Sequence, residues 1–358
     1  MNKYLRKATL IGSALMLSLA ILIGGCSNDD TTSPTTTDAA LPGQGVTVDP
    51  ARPTWDTGYF QTEIMIQALE KLGYNVTSPV SLGNSPFYEA VANGDVDFWA
   101  DGWFPQHVIY MEGKESKEQI VGNLIESGAL QGFMIDKATA DLYNITSVAQ
   151  FTDPDIAALF DIDGDGKAEM VACPPGWGCE LMIDHMFEAY GLNDTVDLIK
   201  ADYTLSMVDA LARYQNGESI FYYGWTPNWT ANSLIAGEDI VWLEVPFTSL
   251  PEEQQQFMDA TYVANLVGKA GTDEPYNMGW PANSIQVVAN TAFLNANPAA
   301  KYLFEVAKIP LDDVLAQNAL MFDGENTNAD IIKHAKAWIV ANQTLFDSWI
   351  DGAIAAAK

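Results

Sequence analysis

Positive charge is what this chain has least of. Its 358 residues carry 17 Lys+Arg against 47 Asp+Glu, a net charge of −30, and only three of the basic residues (Arg6, Arg52, Arg213) are arginines. Such a surface repels nucleic-acid phosphates and anionic lipid headgroups, which excludes nucleic acid as a partner and phosphate recognition as a general strategy. The three histidines, His107, His185 and His334, are too scattered for a metal-ligand cluster. There is no G-x-S-x-G elbow, no H-E-x-x-H and no phosphate-cradling G-x-x-x-x-G-K-[ST] loop. These absences point away from an enzyme and toward a protein that binds without converting. No catalytic residue and no cofactor is expected.

Cysteine is also scarce: Cys26, Cys173 and Cys179. The first closes an export signal in which Lys3, Arg6 and Lys7 precede an apolar run from Ala8 to Ile23 and then Gly24-Gly25-Cys26. That run is shorter than the about 20 residues of a comfortable membrane span. Ile23-Gly24-Gly25-Cys26 resembles a bacterial lipobox, which implies a signal peptide over 1–25, cleavage before Cys26 and lipidation of its thiol. Residues 26–42, rich in Ser, Thr and Asp, have too little apolar content to bury a core and read as a flexible tether. With Cys26 assigned to lipid, Cys173 and Cys179 form an even pair outside the cytoplasm, where disulfides persist. A bridge is expected between them. Closing so short a loop contributes only about 2 kcal/mol, so its role is to shape one turn. A redox-active pair would need C-x-x-C spacing, which is missing.

What is abundant is alternation of strand and helix. A strand Gly45–Asp49 precedes a helix Thr57–Leu72 that stops at Gly73; YNVTSPV is a further strand, and a helix Pro86–Ala92 leads to a strand Val96–Ala100. The pattern recurs with helices Glu180–Tyr190 and Ser206–Asn216, a buried strand Ser219–Trp225 and a strand Asn283–Asn290. This succession predicts an α/β fold, and the length beyond Gly43 suits two lobes.

Tryptophan is abundant too, at ten residues. Trp103 (DGWFPQH), Trp177 (PPGWGCE) and Trp225 (YYGWTPNW) share one context, a strand-to-loop exit beside Gly or Pro, where open α/β sheets place their ligand crevices. One such residue is ordinarily core packing; three in matching contexts suggest a cage. Aromatic faces suit quaternary ammonium, which donates no hydrogen bond and is drawn to ring quadrupoles, at about 0.5–2 kcal/mol per desolvated face. The CPPGWGCE turn adds an anion site. Gly178 and Cys179 open the helix ELMIDHMFEAY, so their N–H groups should point out unpaired toward a carboxylate. His107, four residues after Trp103, can donate another hydrogen bond. Cage and amides together describe a zwitterion such as a betaine.

From LPGQGVTVDP onward the sequence resembles the glycine betaine-binding proteins of bacterial ABC importers of the proline/glycine betaine type. ALEKLGY, GWFPQH, LFDIDGDGKAE, CPPGWGCE, FYYGWTPNW and VWLEVPF carry the resemblance. It implies a two-lobed periplasmic-binding-protein fold of type II with the ligand in the inter-lobe cleft, lobe 1 spanning 43–138 and 246–358 and lobe 2 spanning 139–245. It implies partners in a separate membrane permease and ATPase, and an aromatic box of Trp103, Trp177 and Trp225. It places carboxylate contacts at His107 and at the main chain of Gly178 and Cys179, and a Cys173–Cys179 disulfide. The alternative is the same scaffold binding choline, carnitine or another compatible solute.

Two residues depart from the family pattern. Trp55 (RPTWDTGYF) falls near the expected cleft, as a fourth wall or as packing on the helix from Thr57. Asp101, two residues before Trp103, either favours a net cation such as choline or is merely solvated. The loop DIDGDGKAE places Asp161, Asp163, Asp165 and Glu169 at relative positions 1, 3, 5 and 9, a spacing of oxygens that can wrap calcium. Position 12 is Ala172, so the loop is not a complete EF-hand. A solvated turn is the alternative.

Overall fold

The computed structural model describes residues 40–358. The expected signal peptide, Cys26 and nearly all of the expected tether lie outside the described residues. The Leu41 carbonyl accepts from Gln44 N–H at 3.0 Å, a turn that already lies before the expected start of the folded part at Gly43.

Two five-stranded mixed sheets carry the architecture. Ten strands build them: β1 (Pro50–Pro53), β2 (Val80–Leu82), β3 (Phe98–Phe104), β4 (Glu118–Ala129), β5 (Gln131–Asp136), β6 (Ala168–Val171), β7 (Val196–Ile199), β8 (Phe221–Trp225), β9 (Ile240–Leu243) and β10 (Asn283–Asn290). The first sheet runs β2-β1-β3-β10-β4 and the second β9-β5-β8-β6-β7. In the first, β2, β1 and β3 are parallel and β10 is antiparallel to both its neighbours. In the second, β8, β6 and β7 are parallel, and β5 is antiparallel to β8 and β9. Helices connect the parallel strands, among them α1 (Thr57–Lys71), α2 (Asn84–Asn93), α3 (Gly178–Tyr190) and α4 (Tyr203–Gln215). Every residue of β3, β5, β8 and β9 is buried, so none of these strands shows the alternation of a half-exposed one, and the polar Asp101 and Gln131 are buried with the rest.

Sheet membership departs from the expected lobe boundaries of 138/139 and 245/246. β5, placed by sequence with the first lobe, pairs across its length with β8 and β9 of the second sheet, so the chain crosses over at Leu130. Residues after Val245 also stay with the second sheet. Val245 N–H donates to Asn277 O at 3.0 Å, Trp242 N–H to Gly268 O at 2.9 Å, and Ala270 N–H back to Trp242 O. The return to the first sheet comes at Asn283, opposite Ala129. Strand β3 also runs longer than expected. It continues through Trp103 because β10 pairs with it to Phe104, with a register shift between Gln286 and Val288.

This topology gathers the C-terminal ends of both sets of parallel strands. β1 leads to Thr54 and Trp55, β2 to Asn84, β3 to His107, β6 to Cys173–Trp177, and β8 ends at Trp225. Ligands of open α/β sheets bind at such ends.

Candidate functional site

A small cavity opens between these strand ends, lined by Trp55, Trp103, Gln106, His107, Gln131, Trp177, Gly178, Cys179, Tyr223 and Trp225. The three tryptophans singled out from sequence are thus brought together, and Trp55 joins them as a fourth wall. Trp55 meets Trp177 edge-on, with ring centroids 5.2 Å apart, and Trp177 meets Trp225 at 5.7 Å and 84°. Two indole N–H groups tie the first-sheet side to the second: Trp177 Nε1 donates to Thr54 Oγ1 at 3.0 Å and Trp225 Nε1 to Thr57 Oγ1 at 3.3 Å. These bonds bridge the cleft beside the cavity.

The turn that carries Trp177 is closed by the Cys173–Cys179 disulfide and bends at Gly176, whose φ of +87° favours glycine. Glu180 reaches back to accept from Gly176 N–H at 2.8 Å. Helix α3 starts at Gly178 without a side-chain cap. Among the described residues neither Gly178 N–H nor Cys179 N–H has an acceptor, so both face the cavity as free donors at a helix N-terminus. A Cβ at Gly178 would stand 2.8 Å from Gln106 Nε2, so the end of that side chain would have to shift to admit one.

His107 is buried behind these amides. Trp103 N–H donates to its Nδ1 at 3.2 Å, which leaves Nε2 to carry the proton, and Tyr88 OH lies 3.1 Å from Nδ1. Nε2 stands 2.6 Å from Nδ2 of Asn84 while Asn84 Oδ1 lacks a partner. A half-turn of the Asn84 amide resolves both, giving Nε2–H an oxygen to point at. Burial without a carboxylate partner pushes the imidazole pKa down to about 3, so His107 is a neutral donor at ordinary pH.

Asp101 is neither solvated nor in the cavity wall. It is fully buried behind the wall, where it accepts from Trp55 Nε1 at 2.6 Å and from Gln61 Nε2 at 2.8 Å. The sequence reading missed three lining residues. Gln131 donates through Nε2 to Gln106 Oε1 and accepts from Tyr223 OH at 2.5 Å, which links the two sheets beneath the cage. Tyr223 was within reach of sequence reasoning, because it lies two residues before Trp225 and so on the same face of β8. Gln131 opens a strand whose pairing no local signal shows.

The acidic loop folds on itself. Asp161 accepts from Gly164 and Gly166 N–H at 2.6 and 2.8 Å, and Glu169 accepts from Ile162 N–H at 2.6 Å. One oxygen from each of Asp161, Asp163, Asp165 and Glu169 lies within 4.8 Å of the others.

Two mixed sheets with an aromatic cavity at their facing strand ends define a two-lobed binding protein of the type II periplasmic class. The family model described as the substrate binding domain of ABC-type glycine betaine transport systems matches residues 46–341, and the chain belongs to that family. A glycine betaine/proline betaine-binding periplasmic protein of Salmonella typhimurium is 43% identical over 322 residues, 89% of this chain and 94% of the relative. Its Escherichia coli namesake is 42% identical over 323 residues, again 89% and 94%. The fold is shared with lactococcal OpuAC in its closed conformation with glycine betaine, at TM-score 0.62 and 20% identity over 85% of this chain and 99% of that one. It is shared likewise with an ABC-transporter choline binding protein in complex with choline, at 0.64 and 18% over 87% and 96%. The family consists of substrate-binding transport proteins rather than enzymes.

Proposed function

We propose that this protein captures glycine betaine, or a closely similar quaternary-ammonium osmolyte, and presents it to a separate ABC permease and ATPase for uptake under osmotic stress. The observation that carries this reading is four indoles around one cavity beside two unpartnered helix-start amides. The trimethylammonium group sits among Trp55, Trp103, Trp177 and Trp225, and the carboxylate accepts from Gly178 and Cys179 N–H, with His107 Nε2–H as a third donor that exchanges Asn84 Oδ1 for the ligand. Choline and carnitine are the alternatives on the same scaffold; choline lacks the carboxylate that would use those donors. Relatives named for glycine betaine at over 40% identity support the zwitterion. Because both lobes contribute walls, ligand binding and closure are linked. Calorimetry with glycine betaine, proline betaine, carnitine and choline should show glycine betaine or proline betaine binding most tightly. Heat-silent titrations with all four would end the proposal, and turnover of any would replace it with an enzyme.

Lipid anchoring at Cys26 is proposed from the lipobox resemblance. Cys26→Ala should accumulate as unlipidated precursor in membrane fractions, whereas an ordinary signal peptide would still be cleaved to a soluble protein. For the acidic loop we propose a structural calcium held by Asp161, Asp163, Asp165 and Glu169, the four converging carboxylates. Calcium at millimolar concentration should then raise the melting temperature, and chelator should reverse it. An unchanged melt would leave a loop held by its own backbone.

A further inference from the structure

Asp101 has no role in a cage-and-amide account, yet its position is specific. It lies in the middle of β3, fully buried, and is absent from the cavity lining. Its Oδ2 accepts from the indole N–H of two walls at once, Trp55 at 2.6 Å and Trp103 at 3.4 Å, while Oδ1 accepts from Gln61. No lysine or arginine pairs with it among the described residues. A buried carboxylate without a counter-ion is costly, and a quaternary ammonium held on the other side of these indoles is the missing counter-charge.

We propose that Asp101 is a positioning and specificity-determining residue of the cage. It fixes two indoles by their N–H edges and adds a buried negative charge behind them, which strengthens binding of the ammonium group and most favours ligands of net positive charge. This rests on the quaternary-ammonium reading above. A zwitterion brings its own carboxylate into the same low-dielectric site, so the charge of Asp101 attracts one end and repels the other. Choline feels only the attraction.

Burial raises the Asp101 pKa to about 7, with the N–H bonds from Trp55, Trp103 and Gln61 acting against that rise. Only the ionised form attracts the ligand, so affinity should increase as pH climbs through about 7 and level off above it. Glu118 on β4, whose charge Tyr88 feels, is also raised by burial to about 7, and it remains in the variant below. His107 is held down to about 3 and stays neutral, and burial drives Tyr88 on α2 upward. Asp56, at the head of α1, is raised by burial and by Asp202, and it remains in the variant below.

The variant is Asp101→Asn. Its oxygen can keep the indole bonds, and Gln61 can turn its amide to present Oε1, which now has no partner, so charge is removed with little change of shape. Wild type should tighten its grip on glycine betaine about fivefold between pH 5.5 and 8.5, as expected for a ligand that lowers this pKa by somewhat under one unit. The Asn variant should be flat within about twofold, and at pH 8.5 choline should lose about fivefold more affinity than betaine. Wild type alone provides a second measurement that does not depend on the variant folding. Calorimetry at pH 7 in buffers of different ionisation enthalpy should show net proton release on betaine binding. Zero release, or an Asn variant with the wild-type pH profile and betaine-to-choline ratio, overturns the role of Asp101 alone. Failure of wild type to bind either ligand overturns the quaternary-ammonium reading with it.

Discussion

Replacing Trp177 by alanine is expected to weaken glycine betaine binding about a hundredfold, the largest loss from any single cage wall. Two contributions combine. A desolvated cation loses one aromatic face, worth up to about 2 kcal/mol, and the bond from Trp177 Nε1 to Thr54 Oγ1 that bridges the cleft disappears, worth about 1 kcal/mol. Trp177 also braces its neighbours, since it stands edge-on to both Trp55 and Trp225. The fold itself should tolerate the change. Trp177 is only half-buried and precedes α3 without a side-chain cap to lose, and the disulfide around it remains. The ligand-free melting temperature should therefore stay near wild type while calorimetry shows the loss. Trp225, buried in β8, should give a smaller affinity change mixed with loss of stability. If both variants bind betaine as wild type does, the ammonium is held elsewhere.

Why this much was legible follows from which signals are local. That Trp103, Trp177 and Trp225 converge on one cavity could be read because they sit at strand exits punctuated by Gly and Pro, and such exits are local features. The amides of Gly178 and Cys179 could be read because a helix start leaves its first N–H groups unpaired whatever surrounds it. Asp101 could not be placed. A carboxylate in DGWFPQH reads as solvated unless its donors are known, and those donors, Trp55 and Gln61, come from a different element 46 and 40 residues away. The lobe crossover at Leu130 was hidden for a similar reason. β4 and β5 are consecutive strands that belong to different sheets, and only the distant partners β10 and β8 decide which strand goes where.

The second large effect is expected at the anion end. His107→Ala should reduce glycine betaine affinity about tenfold and choline affinity no more than about threefold, because only the carboxylate takes Nε2–H over from Asn84 Oδ1, and a hydrogen bond to a charged group is worth about 1.5–3 kcal/mol against about 0.5–1.5 kcal/mol for the neutral one it replaces. The variant also leaves Trp103 N–H, which donates to Nδ1, and the Asn84 amide without partners in a buried site, so part of the loss will appear as a lower melting temperature. The choline arm separates the two effects, since general loosening of the Trp103 wall would weaken both ligands alike. The pH dependence has a defined sign. The folded imidazole is depressed to about 3 from its ordinary value of 6.5, so the unfolded chain takes up a proton below about 6.5 that the native site refuses. His107 therefore costs wild-type stability as pH falls from 6.5 toward 3, and the Ala variant should lose less stability over that window. Above pH 6.5 both imidazoles are neutral, so the affinity gap between wild type and His107→Ala should not change with pH. The Asp101→Asn gap should widen there, and titrating both variants side by side from pH 6.5 to 8.5 assigns the anion end and the cation end of the site to different residues.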